Sequence, residues 1–204
     1  MEARTEQTPE LMDAQQRIRE LSNDALIIEL INTLNHLSRW LTPIHDWTVL
    51  DYALRRSERS VKQILAAMHD TEARAYSFMY AITTMTNPDL DKVPRIESPL
   101  GQDFDDRAGD ALVTMAGFRR VRESSTSLLR ALPDTAWHRS GFSRTDRDWT
   151  IQELAESLAV HDWRMLGEID HVLARSGARA GIATVSRVSF EQIDAPFLPV
   201  LDLD

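Results

Sequence analysis

Residues 60–84, with the sequence SVKQILAAMHDTEARAYSFMYAITT, decide the fold class of this 204-residue chain. Apolar side chains recur there every three or four positions, which is the period of one face of an α-helix. Ser60 and Gln63 form the pattern of a capping box at a helix N-terminus, and Pro88 follows the segment and cannot easily continue a helix. The stretch therefore predicts a long amphipathic helix that runs from residue 60 to about residue 86.

Three further segments carry the same period, and none before the C-terminal tail alternates as a half-buried strand does. The first spans residues 9–41, with an expected interruption at residues 22–24, where Ser, Asn and Asp favour a cap over helix interior. The second is expected to begin in the acidic cluster of residues 103–106 and to end near residue 132. The third opens with a capping box at Thr150 and Glu153 and ends near Gly177. The chain is therefore predicted to be all-α, with a four-helix bundle over residues 1–176.

Residues 177–204 lose the helical period and are predicted to form a non-helical, extended tail. The sequence at residues 185–190 alternates briefly between apolar and polar side chains. The apolar end of the tail, residues 196–201, is poorly suited to water, so we expect the tail to pack on its own bundle or on a second subunit.

Composition excludes several classes of partner. The net charge is −9, which disfavours nucleic acid and anionic membranes. The absence of Cys excludes disulfides, thiolate zinc sites and iron–sulfur clusters, and it suits a reducing cytoplasm. The longest uncharged stretch in the middle of the chain, residues 75–88, is too short to span a bilayer, and the acidic N-terminus lacks the order of a signal peptide. We therefore expect a cytoplasmic protein without nucleic-acid or membrane partners.

Two long connections, residues 42–59 and 87–102, join the predicted helices. Loops of that length commonly bind a ligand or cover part of the core. Trp47, Trp137 and Trp149 are expected to cover the ends of the bundle core.

Three charged residues interrupt the apolar stripes of three different helices. Glu72, Arg122 and Asp162 each fall close to the centre of a face that is otherwise apolar, and His161 lies on the edge of the last one. Because an unpaired buried charge is costly, we predict that Arg122 pairs with Glu72, Asp162 or both. Two interpretations stay open: a structural ion pair that fixes helix register, or an acid and His161 that face a cavity.

Two segments resemble a known family. Residues 60–72 resemble the second helix, and residues 149–169 the last helix, of the DinB/YfiT-like superfamily of four-helix bundles, and the resemblance extends over about residues 17–174. It implies a bundle that often forms a homodimer, a divalent metal bound by one His of the second helix and two of the last, and thiol-dependent transferase or isomerase chemistry.

The sequence departs from that family at the metal ligands. The resemblance places the three ligands at Ala67, His161 and Met165, so only one histidine is present. His69 lies about 200° around the helix from Ala67, and a thioether is a poor ligand for nickel or zinc. We therefore expect a degenerate metal site and no cofactor, although Glu72, Asp162 and His161 could offer a carboxylate-rich site for a divalent metal.

The favoured function is a small-molecule or protein binding module that has lost the metal site and forms a homodimer. The alternative is an enzyme of the thiol-dependent transferase or isomerase type, with or without a divalent metal. In that enzyme His161, Asp162 and Glu72 would be catalytic, and Arg122, Met165 and His69 would contact the substrate. A third possibility is a purely structural dimer. An open pocket that contains His161 with Glu72 or Asp162 would favour chemistry, and a filled bundle interior would favour binding by the surface or by dimerisation.

Overall fold

The computed structural model describes residues 9–94 and 110–194. Six helices lie in this part of the chain: α1 (Pro9–Arg19), α2 (Asn23–Leu41), α3 (Val61–Thr84), α4 (Ala111–Arg130), α5 (Ile151–Ser176) and α6 (Phe190–Asp194). Two short strands, β1 (Ser140–Gly141) and β2 (Trp149–Thr150), pair antiparallel between α4 and α5. No helix in the described ranges is long and apolar enough to cross a bilayer.

Helices α2 to α5 form the four-helix bundle. Helix α3 packs on α4 and α5, α2 closes the ring against the same two helices, and α1 lies outside against α5. The interior holds two clusters of apolar side chains, which include Trp40 and Phe118 in one and Trp137 in the other. The all-α bundle predicted from the hydrophobic period is thereby confirmed.

Local capping interactions explain where the helices begin and end. The Ser60 hydroxyl accepts a hydrogen bond from the amide of Gln63, and the Gln63 side chain accepts one from the amide of Ser60, as a capping box requires. Thr150 and Glu153 form the same arrangement at α5, which ends at Gly177 in the left-handed conformation with φ 71°. Helix α4 begins at Ala111 with Asp110 as its N-cap, and the acidic cluster expected to start it, residues 103–106, lies outside the described residues.

The three tryptophans expected to cover the ends of the core, Trp47, Trp137 and Trp149, lie in the connections beside the helix ends. Trp137 is buried, whereas Trp47 and Trp149 are half-buried and pack against the two apolar clusters. At the end that holds Trp137, the Arg139 guanidinium donates to the carbonyls of Thr83 and Met85 and so closes the C-terminus of α3.

The described part of the tail, residues 177–194, differs from the expected extended arm. Residues 184–187 form a 3-10 turn, and residues 190–194 form α6. Helix α6 begins after Ser189, whose amide donates a hydrogen bond to the side chain of Gln192. Trp40 Nε1 donates to the carbonyl of Val188 at 2.8 Å, and the ring of Phe190 meets Trp163 edge-on. These contacts hold residues 188–190 on the bundle. The apolar end of the tail, residues 196–201, lies outside the described residues, and its packing stays a prediction.

Candidate functional site

Three helices bring their inward charges together in the middle of the bundle. Arg122 Nη1 lies 2.6 Å from Asp162 Oδ2, and Arg122 Nη2 lies 2.7 Å from Glu72 Oε2. Glu72 and Arg122 are 0% exposed and Asp162 is 3% exposed. The predicted pairing of Arg122 is therefore confirmed, and it involves both carboxylates.

Helix α2 completes this buried charge cluster with polar groups of its own. Arg122 Nη1 also donates to the carbonyl of Leu30 at 2.7 Å, and the Thr33 hydroxyl donates to Asp162 at 2.9 Å. Burial opposes the charge of Arg122, but attraction from Asp162 and Glu72 outweighs it and raises the pKa of the guanidinium. The arginine therefore stays charged, and the cluster ties all four helices of the bundle together.

His161 lies half-buried on α5, directly before Asp162 in the chain. Its Nε2 is 3.4 Å from the Thr71 hydroxyl of α3, and its Nδ1 is buried without a hydrogen-bond partner among the described residues. Burial is the main cause that lowers the pKa of His161 to about 4. The positive charges of Arg164, Arg59 and Arg122 lower it further, whereas the negative charge of Glu72 raises it. The imidazole is therefore neutral at pH 7 and is a weak base.

The lowered pKa of His161 makes the stability of the protein depend on pH. The unfolded chain binds a proton at this residue near pH 6.5, and the folded chain binds it only near pH 4. The contribution of neutral His161 to the free energy of unfolding is therefore fully present above pH 6.5 and is lost as the pH falls from 6.5 to 4. We expect His161→Gln to show a flatter decline of unfolding free energy over that window, as measured by urea titration at several pH values. An equally steep decline in both proteins would contradict the lowered pKa.

A second arginine, Arg59, lies before α3 and contacts α5 on the turns that follow His161. Arg59 Nη2 is 3.6 Å from the sulfur of Met165, one helical turn beyond His161, and Arg59 Nε donates to Glu168 Oε1 at 2.9 Å. The Nη2 group also contacts Glu168 Oε2, so the pairing of guanidinium and carboxylate is bidentate. Sequence reasoning missed Arg59, since no local pattern connects it with α5.

The remaining expected site residues are also enclosed. His69 is buried, with Nδ1 3.4 Å from the Asp70 carboxylate, and Met165 is buried below Arg59. A ligand could reach Glu72, Arg122, Asp162 or His69 only if the bundle opened, whereas Met165 is covered by the side chain of Arg59. The catalytic and substrate-binding roles of these residues, and of His161, stay predictions.

An open groove of about 430 Å³ lies between α3, α5 and the loop of residues 143–149, and we call it the α3/α5 groove. Thr71, which contacts His161, lines it together with Arg74, Phe78, Trp149 and Ser157. Asp91 fixes the loop, since it accepts hydrogen bonds from the hydroxyls of Thr145 and Ser143 and from the amide of Arg144. These bonds, that from Thr145 foremost, lower the pKa of Asp91 to about 2. The sequence offers no signal for this groove, because one of its walls is a loop that comes from a distant part of the chain.

The residues present do not fit the metal that the family resemblance implies. No group of three His, Cys, Asp or Glu side chains within residues 9–94 and 110–194 could hold a metal ion. At the implied positions the chain has an alanine, one imidazole and a thioether, and the thioether accepts from a guanidinium. The guanidinium of Arg59 thus lies beside the implied metal ligands, and its positive charge disfavours the binding of a metal cation there.

Comparison with known proteins agrees with the fold. No family model matches the chain, and no curated protein matches it. The solved structure of YfiT from Bacillus subtilis, described as a probable metal-dependent hydrolase with an unusual four-helix bundle topology, is similar with a TM-score of 0.62 and 19% sequence identity. The similarity covers 78% of this chain and 91% of the YfiT chain. This chain therefore has the YfiT-like four-helix bundle fold.

Proposed function

We propose that the chain is a binding module of the DinB-like type that takes a small molecule in the α3/α5 groove without a metal ion. The observation that carries this proposal is the closure of the buried charge cluster. Arg122 donates to Glu72, Asp162 and the Leu30 carbonyl, and none of the three charged side chains is open to a substrate. Charges paired and buried in this way are out of a ligand's reach, which leaves ligand contact to the surface of the bundle.

The groove has the properties of a ligand site. Its volume lies within the range of about 300–1,000 Å³ that is typical of small-molecule pockets, and its walls combine aromatic and charged side chains. The guanidinium of Arg74 lies 4.1 Å from the centre of the Phe78 ring, and both residues line the groove. The Trp149 ring also lines the groove, so apolar ring surface lies next to charge there, which suits a planar ligand with polar substituents.

The alternative is a thiol-dependent transferase or isomerase that uses His161. The buried Nδ1 of His161 supports this alternative, because it has no hydrogen-bond partner in the part of the chain that the structure describes and can accept a proton. The low pKa of His161 opposes it, because a base that is protonated only near pH 4 drives proton transfer weakly at pH 7. Homodimer formation and a cytoplasmic location stay predictions under either function.

A small-molecule screen observed by NMR tests the proposal. We expect a subset of planar, polar fragments to shift the signals of Thr71 and the Trp149 indole together, since both line the groove. Ser157→Trp should fill the groove and weaken these fragments by about tenfold or more, which is a loss of about 1.4 kcal/mol. Ser124→Trp is the matched control, because Ser124 is an exposed serine of α4 outside this groove.

Two results would contradict the binding proposal. Fragments that bind equally well to the wild-type chain and to Ser157→Trp would place the site elsewhere. Turnover of a thiol and an electrophile that is lost in His161→Gln, with an unchanged melting temperature, would support the enzyme instead.

A further inference from the structure

His161 and Met165 stand one helical turn apart on α5, so their side chains share one face of the helix. Two histidines at this spacing can bind one metal ion, as in metal sites built on a single helix. In this chain the second of the two positions carries a thioether, and Glu168 follows on the next turn of the same face. The face thus keeps an imidazole, a sulfur and a carboxylate, which are all electron-pair donors.

Arg59 already uses two of these three donors. It stands directly before Ser60, the N-cap of α3, and reaches across to α5, where it contacts the sulfur of Met165 and both carboxylate oxygens of Glu168. One guanidinium therefore occupies two of the three donors that a metal ion on this face would need.

We propose that the guanidinium of Arg59 stands in place of a metal ion on the His161–Met165–Glu168 face of α5. The site then has a covalently attached, permanently charged cation, because a guanidinium does not lose its proton in proteins. Restoring the second histidine at position 165 is therefore insufficient to rebuild a metal site while Arg59 stays in place. It is independent of any ligand in the α3/α5 groove.

Nickel binding by four proteins, measured by isothermal titration calorimetry, tests this proposal. These are the wild type, Met165→His, Arg59→Ala/Met165→His and the control Arg164→Ala/Met165→His. Arg164 is the matched control, because it also disfavours positive charge on His161 but has no described contact with Met165 or Glu168. We expect Arg59→Ala/Met165→His to bind nickel about 10- to 100-fold more tightly than Met165→His, which is the size of effect that groups around metal ligands have. The control pair should gain much less.

Met165 is buried, so its replacement could weaken the fold, and a second measurement leaves it unchanged. Nickel broadens the NMR signals of nearby protons, and the ring signals of His161 should broaden at lower nickel concentrations in Arg59→Ala than in Arg164→Ala. Equal nickel affinity in the two Met165→His double variants would overturn the proposal, and so would equal broadening in the two single variants. Tight stoichiometric nickel binding at His161 in the wild type would overturn it as well.

Discussion

Replacing Arg122 with methionine is expected to lower the free energy of unfolding by about 3–5 kcal/mol, because removal of one partner leaves buried charges without compensation. Glu72 and Asp162 would then face each other as two carboxylates in an interior that excludes water. The Leu30 carbonyl would lose its donor at the same time. Urea unfolding followed by circular dichroism at pH 7 measures this loss.

The control for this prediction is Arg119→Met on the same helix. Arg119 pairs with Glu123 at 2.9 Å, but the two side chains are 61% and 58% exposed, so this loss should be at most about 1 kcal/mol. Equal losses in the two variants would mean that the buried cluster does not hold the helices together. Adding Glu72→Gln and Asp162→Asn to Arg122→Met should recover part of the stability, since the stranded negative charges are then gone.

Replacing Trp40 with alanine is expected to cost about 3–5 kcal/mol, which is the range for removing a large aromatic side chain from a core. Trp40 is 0% exposed and belongs to the same apolar cluster as Phe118. It also holds the tail through the bond from its Nε1 to the Val188 carbonyl. The substitution should therefore destabilise the bundle and release residues 184–194, which thermal unfolding and hydrogen exchange of the tail amides measure.

Trp40→Phe separates these two effects. It keeps most of the apolar volume and removes the hydrogen bond, so we expect a smaller loss of stability together with faster exchange in the tail. Trp149→Ala serves as a second control, because Trp149 is half-buried and donates to the surface residue Asp146. Unchanged exchange of the tail in Trp40→Phe would show that the contact with Val188 does not hold it.

The positions of the helices could be predicted because the signals are local. A capping box joins residues three apart, such as Ser60 and Gln63, and the apolar period needs only one or two turns of helix. The same period located Glu72, Arg122 and Asp162 on inward faces, and the cost of burying an unpaired charge predicted that they meet. The extended form expected for residues 185–190 differs from the structure, since the pairing of Ser189 with Gln192 favours a helical turn.

The candidate site depended on contacts that join distant parts of the chain. Arg59 and Glu168 are 109 positions apart, and Thr33 and Asp162 are 129 apart, so no pattern within one segment points to either pair. The groove beside Thr71 likewise depends on a distant segment, since one of its walls is the loop of residues 143–149, which hydrogen-bonds to Asp91. The sequence by itself determined the helices, their apolar faces and the need for the inward charges to pair, since these follow from short-range periodicity and desolvation. Only the tertiary structure decided that both acids share Arg122, that His161 is neutral and that Arg59 covers Met165, because these depend on the distances between helices.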